Sequence, residues 1–154
     1  MQKKQGLLRR DYIQNMLIRL MNGGMGNTTD SIIKGDMRMK NIKEIGDFFI
    51  NLNEYVYATD IETNEIVYMN HKALEAYGLE SIEDIKGQKC YEVLQKASVK
   101  CGMCNNSRLL PGAFEEWRYY NPVLDKYMII KDTLIEGEGN KKYRLEIGID
   151  ISEE

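Results

Sequence analysis

The chain has 154 residues, enough for one domain with a real core and an appendage. Its hydrophobic share of 43% and charged share of 29% are those of a soluble globular protein, and a net charge of −3 excludes the clustered basic footprint of a nucleic-acid binder. No run approaches the ~18 apolar residues of a membrane span, and the N-terminus lacks the layout of a signal peptide, so the expected location is cytoplasmic.

Residues 1 to 22 are expected to form a helix, with Ile13, Met16, Leu17 and Leu20 as its apolar stripe. The glycines at 23, 24 and 26 break it. Thr29 or Asp30 can cap a second helical stretch, in which Ile42, Ile45, Phe49 and Leu52 recur at spacings of three, four and three. Two readings fit that seam: the helices pack on the body of the domain, or they form a dimerising entry.

Tyr55–Thr59 is a β-rich run, Asp60–Asn64 a turn, and Glu65–Met69 a second β-rich run. Asn70 is placed to cap a short helix from His71 to Tyr77 that shows Ala73, Leu74 and Tyr77 on one face, with Gly78 as its left-handed stop. Ser81–Asp84 has the form of a capping box, and Gly87 can end that element. Another helical turn or two is expected over Cys90–Gln95, then a loop carrying Cys101 and Cys104, and a turn at Pro111-Gly112. The C-terminal third predicts three strands in an antiparallel meander: Glu116–Tyr120, Tyr127–Ile135 and Tyr143–Ile151. In the last, Tyr143, Leu145, Ile147, Ile149 and Ile151 alternate with Arg144, Glu146, Gly148 and Asp150. Period two assigns the first row to a core and the second to solvent, a partner or the rim. The fold class is α+β, a five-stranded antiparallel sheet with short helices on one face and an N-terminal helical extension.

Enzymatic templates fail. The glycines at 23–26 lack a phosphate loop's downstream Lys-Ser/Thr, no Gly-x-Ser-x-Gly elbow occurs, and His71, the sole histidine, sits at a helix start where solvation is expected. The chemical signal lies in Cys90-x10-Cys101-x2-Cys104. Three readings stay open: reduced packing thiols, a redox pair, or a zinc or iron site. Four cysteines for an iron–sulfur cluster and C-x-x-C-His for covalent haem are absent.

The order strand, tight turn, strand, Asn cap, one-face helix and Gly over YVYATDIETNEIVYMNHKALEAYG resembles the opening of a PAS domain. It is most similar to those placed ahead of cyclic-di-GMP enzymes of the GGDEF and EAL types in clostridia-like bacteria. The resemblance covers residues 48–152 and leaves 1–47 as the helical extension. It implies a sensory and dimerisation module, not itself an enzyme, that regulates an effector beyond Glu154, with a homodimer as the assembly. It also implies a pocket for a small molecule, lined from the inner strand positions Tyr57, Met69, Trp117, Tyr119 and Ile130, although such a stripe equally suits plain core. Neither flavin nor haem is expected: the photoadduct motif is missing and His71 comes too early to ligate haem. The ending Asp150-Ile-Ser152 is similar to the junction through which PAS domains pass movement to a following helix, which implies signal output at Asp150 and Ser152. Readings without a PAS ligand are a thiol or metal switch at the cysteines and a ligand-free interaction domain.

Overall fold

The computed structural model describes residues 46–153, apart from residue 48, and excludes the side chain of Glu138. The first expected helix, and Ile42 and Ile45 of the seam, lie outside the described residues.

Strand β1 (Tyr55–Asp60) turns back through Asp60, whose Oδ1 accepts from the backbone N–H groups of Glu62 at 2.9 Å and Thr63 at 3.1 Å. Asn64, at φ 60°, completes the reversal into β2 (Ile66–Met69). Helix α1 (His71–Ala76) follows its cap Asn70, and Gly78 at φ 68° ends that segment as expected. A 3₁₀ turn over Ile82–Asp84 carries the reciprocal Ser81–Asp84 box. Helix α2 (Cys90–Leu94) is fastened to the β1–β2 corner by the Cys90 N–H, which donates to Asn64 O at 2.8 Å, and by Lys89 Nζ, which reaches Glu65 Oε1 at 3.3 Å. After a 3₁₀ turn at Asn106–Arg108 come β3 (Glu115–Asn121), β4 (Lys126–Glu136) and β5 (Lys142–Asp150).

All pairings are antiparallel and the spatial order is β2-β1-β5-β4-β3. The last strand therefore lies at the centre, between the first strand and the meander. Both of its sides are hydrogen-bonded, and both of its faces are covered. On one face Leu145, Ile147 and Ile149 pack with Val56, Ala58, Ile129 and Phe49, the last 1% exposed. On the other, Tyr55, Met128 and Ile130 meet Ala73 and Leu74 of α1 and Val93 and Leu94 of α2.

Phe49 and Leu52, the described half of the seam, turn inward onto their own sheet, which is the first of the two readings. One expectation is corrected: the second row of β5 is not at the rim, since Arg144 and Glu146 are each 7% exposed and Gly148 is buried, while only Asp150 is open. The alternation was real, but its two sides separate an apolar core from a partly polar one, not core from solvent. A central strand with helices over one face and the Phe49 segment over the other has no solvent side.

Candidate functional site

Asn70 sets the frame of the helix face. It is fully buried, and its Oδ1 accepts from the N–H groups of Ala73 and Val56, each at 3.1 Å. Its Nδ2 donates to the carbonyls of Phe49, Leu52 and Glu54 at 3.2, 3.2 and 2.9 Å. One amide thus caps α1, holds the edge of β1 and closes the incoming chain.

Beneath α1 and α2 lies a cleft of about 50 Å³. Four of the five expected pocket residues, Tyr57, Trp117, Tyr119 and Ile130, line it. Met69 does not; at 2% exposure it is packed among Ile66, Leu74 and Ile85 in the core. Met69 pairs with Tyr57 across β1 and β2 and shares its face, but on the edge strand it packs with Ala73 and Leu74 of α1 rather than beside the cleft.

The floor of the cleft is charged, and sequence reasoning missed it. Asp132, Glu146 and Tyr57 stand side by side on β4, β5 and β1, each opposite the next in the strand register. Two carboxyls directly opposite one another repel. Arg144 relieves this: its Nε donates to Asp132 Oδ1 at 3.1 Å and its guanidinium also bonds Glu146 Oε2. Asp132, fully buried, further accepts from Trp117 Nε1 at 2.7 Å and Asn105 Nδ2 at 2.9 Å. Burial pushes the Glu146 carboxyl up to about 8, with Arg144 and the Tyr57 hydroxyl pulling against it and Asp132 reinforcing it. Burial likewise raises the Tyr57 hydroxyl, which bonds Glu146. The only hint in the sequence was the placement of Arg144 and Glu146 inside a long apolar strand, a pattern that a half-exposed strand shares.

All three cysteines are free and line the same cleft. Burial pushes the Cys90 thiol up to about 11 and raises Cys101. Asn105, next to Cys104, is pinned to Asp132 and to Glu115 at 3.0 Å, which ties the cysteine loop to the charged floor. Among the described residues no group of three or more His, Cys, Asp and Glu side chains is arranged to hold a metal ion. His71 is exposed.

Asp150 and Ser152 sit together at the far end of β5. Asp150 pairs with Lys126 at 2.5 Å and accepts from the Ser152 N–H at 2.9 Å, while Ser152 Oγ accepts from the Tyr127 N–H at 3.1 Å. Burial works to raise the Asp150 carboxyl, but the Lys126 and Ser152 hydrogen bonds outweigh it and hold it low. No described helix is long and apolar enough to cross a membrane.

No protein-family model and no curated protein matches the sequence. Solved structures do share its chain path. The PAS domain of an HTR-like protein from Haloarcula marismortui is 14% identical and matches 71% of this chain and 90% of its own, with a TM-score of 0.54. The PAS domain of BvgS from Bordetella pertussis is also 14% identical, over 71% and 85%, with a TM-score of 0.54. A PAS domain from a two-component sensor histidine kinase is 13% identical, over 70% and 94%, with a TM-score of 0.50.

Proposed function

We propose that this chain, which has the fold of a PAS domain, is the sensory input module of a signalling protein. It takes a small ligand in the cleft and passes occupancy onward from the end of β5. The observation that carries this reading is the position of Arg144 and Glu146. They are buried on the floor of the cleft, in the central strand that ends at the Asp150–Ser152 junction. A change in what these groups bind acts directly on the strand that leads out of the domain. Domains of like fold in BvgS and in a sensor histidine kinase support the signalling role. A cyclic-di-GMP enzyme as the effector rests on the sequence resemblance over residues 48–152.

The test is a fusion of the chain, through Glu154, to a diguanylate cyclase domain. Turnover should respond to at least one member of a small-molecule panel. That response should vanish in Gly148→Val, because a Cβ at Gly148 already falls 2.7 Å from Met128 Cε and projects into the cleft. A turnover indifferent to the panel and to Gly148→Val is not controlled through this cleft.

A second reading has its own observation: Cys90, Cys101 and Cys104 line that cleft together. An external peroxide that takes two electrons and two protons from Cys101 and Cys104 would leave a disulfide in the cleft wall. If peroxide alone switches the fused cyclase, and Cys101→Ser abolishes the effect, the thiols are the input.

A further inference from the structure

We infer that the cleft takes a small monovalent organic ammonium ion, held between the Glu146 carboxylate and the rings of Tyr57, Trp117 and Tyr119. The inference rests on the sensory reading and names the ligand class of the same cleft.

The argument begins with a count of charge. Two carboxyl groups, Asp132 and Glu146, share one guanidinium, Arg144. Asp132 is satisfied by Arg144, Trp117 and Asn105. Glu146 is left with a share of Arg144 and the Tyr57 hydroxyl. Among the described residues no lysine or second arginine lines the cleft. The second carboxyl therefore has no cation of its own. Without a ligand a proton fills that role, which is why burial drives Glu146 up to about 8. An ammonium ion can displace the proton and supply the missing charge.

The walls favour the same guest. Tyr55, Tyr57, Tyr77, Tyr91, Trp117 and Tyr119 all line the cleft, and the Trp117 and Tyr119 rings stand 5.4 Å apart at a 50° tilt. Aromatic quadrupoles attract cations, most strongly where water is excluded. An anion would meet the carboxyls of Glu146 and Asp132, to which Arg144 Nε and Nη2 already donate. A neutral guest would leave Glu146 with its proton and draw nothing from the carboxylate. A cleft of about 50 Å³ suits a guest of a few heavy atoms.

The groups that titrate or carry charge around Glu146 come from every element packed on it. They are Tyr57 on β1, Tyr77 after α1, Cys90 on α2, Cys101 in the loop, Tyr119 on β3, Asp132 on β4 and Arg144 beside it. Burial raises the tyrosine hydroxyls and both thiols, away from the range where Glu146 changes charge.

Trp117 is the sole tryptophan, so its fluorescence reports the cleft directly. The intact chain is titrated with methylammonium and tetramethylammonium chloride, and with tert-butanol and sodium acetate, at constant ionic strength. Both ammonium ions should give a saturable response and acetate none. Tetramethylammonium has no proton to lose, so its affinity should climb about tenfold per pH unit below the Glu146 pKa and level off above it. Glu146→Gln keeps the shape and removes the charge. It should weaken tetramethylammonium binding at least about tenfold above pH 8 and flatten the pH profile, with circular dichroism and thermal unfolding showing a retained fold. Preference for acetate or tert-butanol overturns the ammonium class while leaving the sensory reading standing. No saturable response to either ammonium ion, or unchanged affinity in Glu146→Gln, overturns the proposal outright. The panel assay on the fused cyclase then judges the sensory reading independently.

Discussion

Asn70 concentrates five hydrogen bonds on one buried amide. Asn70→Ala removes the cap of α1 and leaves buried backbone groups of β1 and the incoming segment without partners. Each such group costs about 1–3 kcal/mol, so the variant should lose about 3 kcal/mol or more in urea unfolding. A loss under about 1 kcal/mol would show that water replaces the side chain, and that Asn70 is a cap and nothing else. Cys90 makes a chemical prediction at the same scale. With its thiol pushed up to about 11, only on the order of 0.1% is thiolate at pH 8. A disulfide reagent should therefore label it at least about tenfold more slowly in the native protein than in urea. Elemental analysis of the reduced protein should find far less than one zinc or iron per chain. Stoichiometric metal with stability lost to a chelator would instead establish a thiolate site.

At the scale of the element, β5 is the strand that joins the two halves of the sheet: it pairs with β1 and β4, carries Arg144 and Glu146, and ends in Asp150. Its last residues are held by polar contacts near the surface, with the Lys126 and Asp150 side chains 35% and 32% exposed. Ion pairs of that kind contribute little, so Asp150→Ala should cost about 1 kcal/mol or less. In the cyclase fusion the same change should blunt the ligand response, because a switch biased by a few kcal/mol is sensitive to a single junction contact. Turnover measured with and without ligand decides it: an equal response in wild type and Asp150→Ala means the signal leaves by another route.

At the scale of the whole molecule, the charged floor should appear in the pH dependence of stability. Burial raises the Glu146 carboxyl from 4.5 to about 8, so the native state keeps a proton that the unfolded chain releases. The stabilisation from that proton is complete below pH 4.5 and is lost as pH climbs to about 8. Wild-type stability minus that of Glu146→Gln should fall through this window and be flat on either side. Taking the difference cancels the titrating groups remote from Glu146. A difference that is constant with pH would mean that Glu146 titrates in the folded protein as it does in the unfolded chain.

The sequence by itself determined the local elements. Asn70 as cap, Gly78 as stop, the Ser81–Asp84 box and the strands from Tyr55 to Asp150 depend on neighbours a few residues away, and period and turn chemistry express them directly. Four inner aromatic and aliphatic positions of the cleft were legible for the same reason, since they alternate along single strands. What faces each side of a strand was not legible. Arg144 and Glu146 look solvent-facing in a strand with one open face. They become a buried floor only because β5 inserts between β1 and β4, α1 and α2 close over it, and Phe49 seals the reverse side. Asp132 finds its partners in Asn105, Trp117 and Arg144 from three other segments. Pairings of that kind are set by strand order and register, which no local pattern encodes, so the charge of the site was decided by the tertiary structure alone.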